Sequence, residues 1–133
     1  MPEATQQAVP ICPAADVLEG GLGVRFPITA DGHQTTGFVV RFNGVAKAYV
    51  NRCAHVPIEL DWNAGEFFDS SGLYLMCSTH GAVYDPESGH CLGGPCRGKR
   101  LQQIKVYEHA QTLFWQPDTQ VGHAVQESPK IDA

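Results

Sequence analysis

Phe38-Val39-Val40-Arg41-Phe42-Asn43-Gly44-Val45-Ala46-Lys47-Ala48-Tyr49-Val50 is the stretch whose reading decides the fold. Two runs rich in β-branched and aromatic residues flank an Asn-Gly pair. That pair suits the positive φ angles of a two-residue hairpin turn, so the stretch predicts two adjacent antiparallel strands. The second strand leads straight to Cys53. Before the hairpin, Val24 to Ile28 reads as a short strand and Asp31-Gly32-His33 as a turn. After it, the segment from Pro57 to Ser71 is irregular, and Leu73-Tyr74-Leu75-Met76 reads as a short buried strand ending at Cys77. Ala82-Val83-Tyr84 is another strand, closed by an Asp85-Pro86 turn. Ser88 to Gly98 is rich in Gly, Pro and Cys and reads as loop. Ile104 to Tyr107 and Thr112 to Trp115 form a second hairpin-like pair, joined through Glu108 to Gln111. No repeat and no amphipathic helix stands out. Repeated short strands with turn signals predict an all-β fold, a small antiparallel barrel or sandwich.

A length of 133 residues makes a single domain spanning 1–133 the expectation, with polar, loosely ordered ends at roughly 1–12 and 117–133. Hydrophobic residues at 43% suffice for one core, and 14 Gly with 9 Pro suit a turn-rich β fold. The net charge of −5, without a long basic run, argues against a nucleic-acid partner. An acidic surface suits steering toward a basic protein, or plain solubility. The first residues lack a basic region followed by an apolar run, and no stretch is apolar enough to span a membrane. The expectation is a soluble cytoplasmic chain. Five cysteines is an odd number, which points to metal binding rather than a disulfide framework.

Two short boxes carry the chemistry. Cys53-Ala54-His55 sets a thiolate and an imidazole two residues apart, and Cys77-Ser78-Thr79-His80 sets the same pair three apart. Each follows a strand-like run, so each can sit at a loop tip. Two such loops side by side present two sulfurs and two ring nitrogens to one point. That donor set suits either a tetrahedral zinc or a 2Fe-2S centre of mixed ligation. Structural zinc sites with two Cys and two His usually pair like with like and place the histidines on a helix. Here each box has one of each and no helix carries the histidines. The mixed boxes favour a diiron cluster, one iron taking both thiolates and the other both imidazoles.

Cys53-Ala54-His55 and Cys77-Ser78-Thr79-His80-Gly81 resemble the C-x-H and C-x-x-H boxes of the Rieske proteins. Leu60, Gly81 and the run Gly93-Gly94-Pro95, which matches the family's proline-containing loop over the cluster, strengthen the resemblance. It covers roughly Val39 to Trp115, with a longer gap than usual between the boxes. It implies a Rieske-like barrel or sandwich with two cluster-binding loops at one end, and one 2Fe-2S cluster per chain. Cys53 and Cys77 would hold the inner iron, and His55 and His80 the outer one.

Ile58 and Thr79 stand where the Rieske subunits of respiratory complexes carry a bridged cysteine pair, so that bridge cannot form here. Ala82 stands in the place of a serine hydroxyl and Tyr84 keeps the tyrosine. The resemblance therefore lies with the soluble Rieske ferredoxins of bacterial oxygenase systems, with Tyr84 expected to reach the sulfur of Cys53 or Cys77.

The implied function is one-electron transfer from a flavin-dependent reductase to a terminal oxygenase, with no catalytic residues in this chain. The alternative is the small subunit of a nitrite reductase-like or other multicomponent oxidoreductase. An oxygenase subunit would need a second, mononuclear iron site, and the chain ends too soon after Trp115 to supply one. A zinc-stabilised interaction domain is a further rival.

Among the other residues, Cys91 and Cys96 could form a small disulfide near the cluster or tune its surroundings, with two free, partly buried thiols on a loop the favoured reading, and Cys12 is expected as an incidental thiol. His90 carries little sign of ligation, and His33, His109 and His123 carry none. Trp62, Phe67 and Phe68 are expected to pack the inter-box segment rather than form a docking patch. Phe42, Tyr49, Tyr107, Phe114 and Trp115 read as strand core. Arg97, Lys99 and Arg100 form a short basic cluster, which is usually a solvated face, though its place beside the cluster loops makes a docking role reasonable.

Overall fold

A computed structural model of the chain describes residues 8–53, 59–61, 65–77, 81–94, 98–118 and 120–123. Within them run ten strands: β1 (Val9–Pro13), β2 (Val24–Ala30), β3 (His33–Phe42), β4 (Val45–Val50), β5 (Leu75–Met76), β6 (Val83–Tyr84), β7 (Cys91–Gly93), β8 (Gln103–His109), β9 (Thr112–Gln116) and β10 (Val121–His123). A single 3-10 turn, Ala14–Asp16, follows β1. Seven strands form one sheet in the order β1-β9-β8-β4-β3-β2-β10, and β5-β6-β7 form a second. Every pairing within the two sheets is antiparallel. The large sheet curls, so that side chains from β2, β3, β4, β8, β9 and β10 meet in one core. The all-β expectation holds.

The hairpin between β3 and β4 explains how two cores coexist. Asn43 and Gly44 adopt φ angles of 53° and 78°, the pattern of a type I′ turn, and Phe42 pairs with Val45 across it. The Glu19 carboxylate accepts from both turn amides, Asn43 N at 2.6 Å and Gly44 N at 2.7 Å. Successive side chains on a strand point to opposite faces. Val39, Ala48 and Val50 enter the barrel core with Phe26, Ile28 and Trp115. Phe38, Val40 and Tyr49 enter a second core with Leu60, Leu75 and Leu101. Both faces of the hairpin are thus covered, which is why its sequence runs continuously apolar through Phe38-Val39-Val40 instead of alternating.

Several local expectations change. Residues 9–13 form β1, paired with β9, instead of a loose end. The tail contributes β10, paired with β2, and Val121 is buried in the barrel core. Two prolines in Val9–Pro13 and the shortness of Val121–His123 mute the strand signal; pairing with β9 and with β2 makes each a strand. β7 arises in the same way within the expected loop. Leu75 alone of the 73–76 run is fully buried, while Leu73 and Tyr74 are exposed. Tyr107 is exposed too, stacked on Phe114 at 5.7 Å between ring centroids.

Candidate metal centre

Box one begins just beyond β4. Asn51 N donates to Thr36 O at 2.7 Å and Arg52 N to Val50 O at 2.8 Å, turning the chain off the sheet edge so that Cys53 points into the second core. Box two begins at the end of β5. Cys77 N donates to Ala82 O and Gly81 N to Cys77 O, each at 2.8 Å, closing a tight loop between β5 and β6. Gly81 adopts a φ of +74°, a conformation glycine reaches without a Cβ clash. The two hydrogen bonds fix Cys77 at the end of β5, beside the start of β6.

Cys53 and Cys77 come together in one core cluster, both buried and neither in a disulfide. Tyr84 follows box two on β6 yet reaches across to box one, where its Oη lies 3.4 Å from Cys53 Sγ. The expectation of this hydroxyl at the sulfur of Cys53 or Cys77 is met at Cys53. Ala82, also fully buried, brings no second hydroxyl. Two buried sulfurs in an apolar wall with one hydroxyl beside them fit a thiolate-bound metal cluster, because soft sulfur donors bind such clusters and a hydrogen-bond donor offsets their charge. His55 and His80 lie outside the described residues, as do Ile58, Thr79, Trp62, Pro95, Cys96 and Arg97.

The segment returning from box one is anchored by polar groups that sequence reasoning missed. Asp61 is buried and accepts from Asn51 Nδ2 and from Gly65 N, both at 2.9 Å. Asn51 Oδ1 accepts from Leu60 N at 2.9 Å, and Arg25 Nε approaches Asp61 at 3.7 Å. Arg25 also pairs with Glu59 at 2.8 Å. Asn51 and Asp61 thus tie the two ends of the box-one loop to each other and to β2. An Asn before the box and an Asp after it look like ordinary loop residues; only their contact reveals the clamp.

Aromatic packing holds the rest of the inter-box segment. Phe67 is fully buried and stacked on Phe38 with centroids 3.8 Å apart, as the packing reading of this segment anticipated. Tyr49, also fully buried, donates from Oη to Pro86 O at 2.6 Å, tying β4 to the connection between β6 and β7. Burial pushes its phenol up to about 12, with a hydrogen bond to Gln103 acting in the opposite direction. Cys91 departs from the free-thiol expectation: it is disulfide-bonded, fixed on β7 beside the second core instead of lying on an open loop. Cys12 is a free thiol on β1, its pKa raised chiefly by burial and next by Asp16.

The description that matches the chain is the Rieske [2Fe-2S] domain, over residues 7–108. Among solved structures, the chain is similar to the ferredoxin of carbazole 1,9a-dioxygenase from Nocardioides aromaticivorans IC177. That pair is 21% identical with a TM-score of 0.66, over 84% of this chain and 99% of that one. The Sphingomonas yanoikuyae B1 ferredoxin is 18% identical with a TM-score of 0.64, over 84% and 100%. A chain in a complex of reduced oxygenase and oxidized ferredoxin in carbazole 1,9a-dioxygenase is 19% identical with a TM-score of 0.64, over 90% and 97%. At these identities the likeness is one of fold. No curated protein matches the chain.

Proposed function

The chain belongs to the Rieske [2Fe-2S] domain family, and on that premise we propose that it is a one-electron carrier serving a terminal oxygenase. The observation that carries the reading is the burial of Cys53 and Cys77 in one core cluster, with the Tyr84 hydroxyl 3.4 Å from Cys53 Sγ. Cys53 and Cys77 would hold the cluster from the buried side, and His55 and His80 from the outer side. The cluster supplies a one-electron couple, at a higher potential than four-cysteine clusters because imidazoles leave it less negative. The apolar side chains of the second core shield the sulfurs from that side, and Tyr84 would donate toward Cys53 once that thiol is an ionised ligand. A ferredoxin–oxygenase complex among the similar structures supports the acceptor class. A flavin-dependent reductase is the matching donor class, and the whole of 1–133 is then a single carrier domain.

Among the described residues no helix is long and apolar enough to cross a membrane. We place the carrier in the cytoplasm, beside its reductase. The disulfide at Cys91 runs against a reducing compartment. Thiol titration of protein taken from cells under a thiol-blocking agent reads that point directly.

The purified protein is expected to be red-brown, with about two irons and two acid-labile sulfides, as the cluster type requires. Replacing His55 or His80 by Ala should abolish the electron-resonance signal of the reduced mixed-ligand cluster. A colourless, fully folded native protein with stoichiometric zinc overturns the reading in favour of an interaction domain.

A further inference from the structure

Cys53 forms one side of a cavity of about 330 Å³ whose other described lining residues are Val50, Arg52, Lys99, Arg100 and Gln102. Three of the chain's nine basic residues line this one cavity, and no Asp or Glu is among its described lining residues. Lys99 and Arg100 are exposed, and among the described residues neither has a carboxylate within ion-pair distance. Arg52 shares its charge with Asp31 at 3.3 Å. On neighbouring elements Glu59 and Asp61 are paired with a cation, Arg25, whereas Asp85 and Glu87 accept from uncharged donors, Glu87 N at 2.9 Å and Asn43 Nδ2 at 3.2 Å, and keep their charge. Arg97 adds a further cation to the same stretch of sequence.

We propose that this basic rim is a docking surface for an acidic face of the redox partner protein. The inference rests on the electron-carrier reading and adds the sign of the partner's charge. A net charge of −5 suggests a basic partner, but the charge of the whole chain does not set the field at the site of contact. The Debye length is about 8 Å at physiological salt, so a partner at contact distance feels nearby unpaired cations more than carboxylates on the far side. Electron transfer requires the partner to approach the cluster end, where the described lining of the cavity carries three cations and no carboxylate. Charges at an interface rim act mainly on encounter rate and orientation, which suits a carrier that must dock and leave quickly.

The test uses the cluster-loaded protein. Electron transfer from its reduced form is followed to hexacyanoferrate(III), an anion, and to tris(phenanthroline)cobalt(III), a cation. If the rim governs the approach, raising salt from about 20 to about 200 mM should slow the anionic oxidant several-fold and leave the cationic one unchanged or faster. Lys99→Glu/Arg100→Glu should invert both trends, and Lys99→Gln/Arg100→Gln should flatten them. As a readout independent of electron transfer, carbodiimide coupling of the oxidised protein to an acidic haem protein, cytochrome b5, should join it through Lys99. Lys47, Lys105 and Lys130, the other lysines, should couple weakly. A salt trend of the sign set by the net charge, unaltered in the variants, overturns the docking proposal and leaves the carrier reading standing. So does coupling spread evenly over the four lysines. A chain that takes up no cluster overturns the carrier reading and the docking proposal together.

Discussion

The two cores share the β3–β4 hairpin as a common wall but are held together differently. The barrel core, with Phe26, Ile28, Ala30, Val39, Leu113, Trp115 and Val121, is almost wholly apolar and is closed by strand pairing. The site-side core packs Phe38, Phe67 and Leu75 around two thiols and two phenols, over segments with only the short strands β5, β6 and β7. Its loops are held by specific polar links instead: Asn51 to Asp61, Tyr49 to Pro86, Tyr84 to Cys53. Burial is non-directional and tolerates exchange of side chains, whereas a buried hydrogen bond fixes one geometry and leaves its partner stranded when broken. The barrel therefore supplies bulk stability, and the polar links supply the shape of the site.

The largest expected effect separates these roles. Asp61→Ala removes the acceptor of Asn51 and Gly65 and leaves polar groups stranded, at a cost of about 3 kcal/mol. Ile28→Ala, in the middle of the barrel core, is expected to cost a similar ~3 kcal/mol through its cavity. Denaturant unfolding should show both losses. Only Asp61→Ala should also speed iron release to a chelator under native conditions. Equal iron-release rates in the two variants would erase the distinction between the cores.

Tyr49 gives the comparison a pH dependence. Burial raises its phenol to about 12, above the roughly 10 of an unfolded chain. A folded-state pKa above the unfolded one means that its contribution is fully present below pH ~10 and is lost as pH rises through about 12. The difference in unfolding midpoint between wild type and Tyr49→Phe should therefore shrink across that window. Parallel curves would mean that Tyr49 titrates alike in both states.

Sequence and structure agree best where the signal is local. Asn43-Gly44 names its own turn, and the two boxes name their own chemistry, because both lie within a few consecutive residues. Cys53 and Cys77 lie in one buried cluster and the Tyr84 hydroxyl lies 3.4 Å from Cys53 Sγ; the histidine halves of the boxes lie outside the described residues. What sequence could not show depends on distant partners. β1 is a strand because β9 accepts it, and β10 because β2 does. Asn51 and Asp61 form a clamp only through contact between residues ten apart in sequence. Phe67 is core only because Phe38 lies beneath it.

A smaller effect tests the polar link at the site itself. Tyr84→Phe keeps the ring packing and removes the hydroxyl 3.4 Å from Cys53 Sγ. A donor favours the more negative reduced cluster, so its loss should lower the potential. A net hydrogen bond of about 1 kcal/mol corresponds to about 40 mV for a one-electron couple. Ala82→Ser should raise the potential if its hydroxyl reaches a sulfur. Film voltammetry measures both, and the wild-type value should fall below that of respiratory Rieske subunits, within roughly −150 to +300 mV. An unchanged potential in Tyr84→Phe would show that the contact is packing alone.

The smallest effect belongs to the barrel and should leave the site untouched. The β8–β9 hairpin turns through Ala110 and Gln111, with φ angles of 52° and 66°, between the paired residues His109 and Thr112. This is the same two-residue geometry as at Asn43-Gly44, made by residues that disfavour it, since a Cβ crowds the backbone in the left-handed region. Gln111 O accepts from Ala14 N at 2.9 Å, a bond that needs only the backbone and survives substitution. Ala110→Asn/Gln111→Gly should therefore raise stability by about 1 kcal/mol. The potential and the iron-release rate should stay at wild-type values, because the turn packs against β1 and not against the cysteines. A stabilised variant with a shifted potential would mean that strain in the barrel is transmitted to the cluster end, and that the two cores are mechanically one.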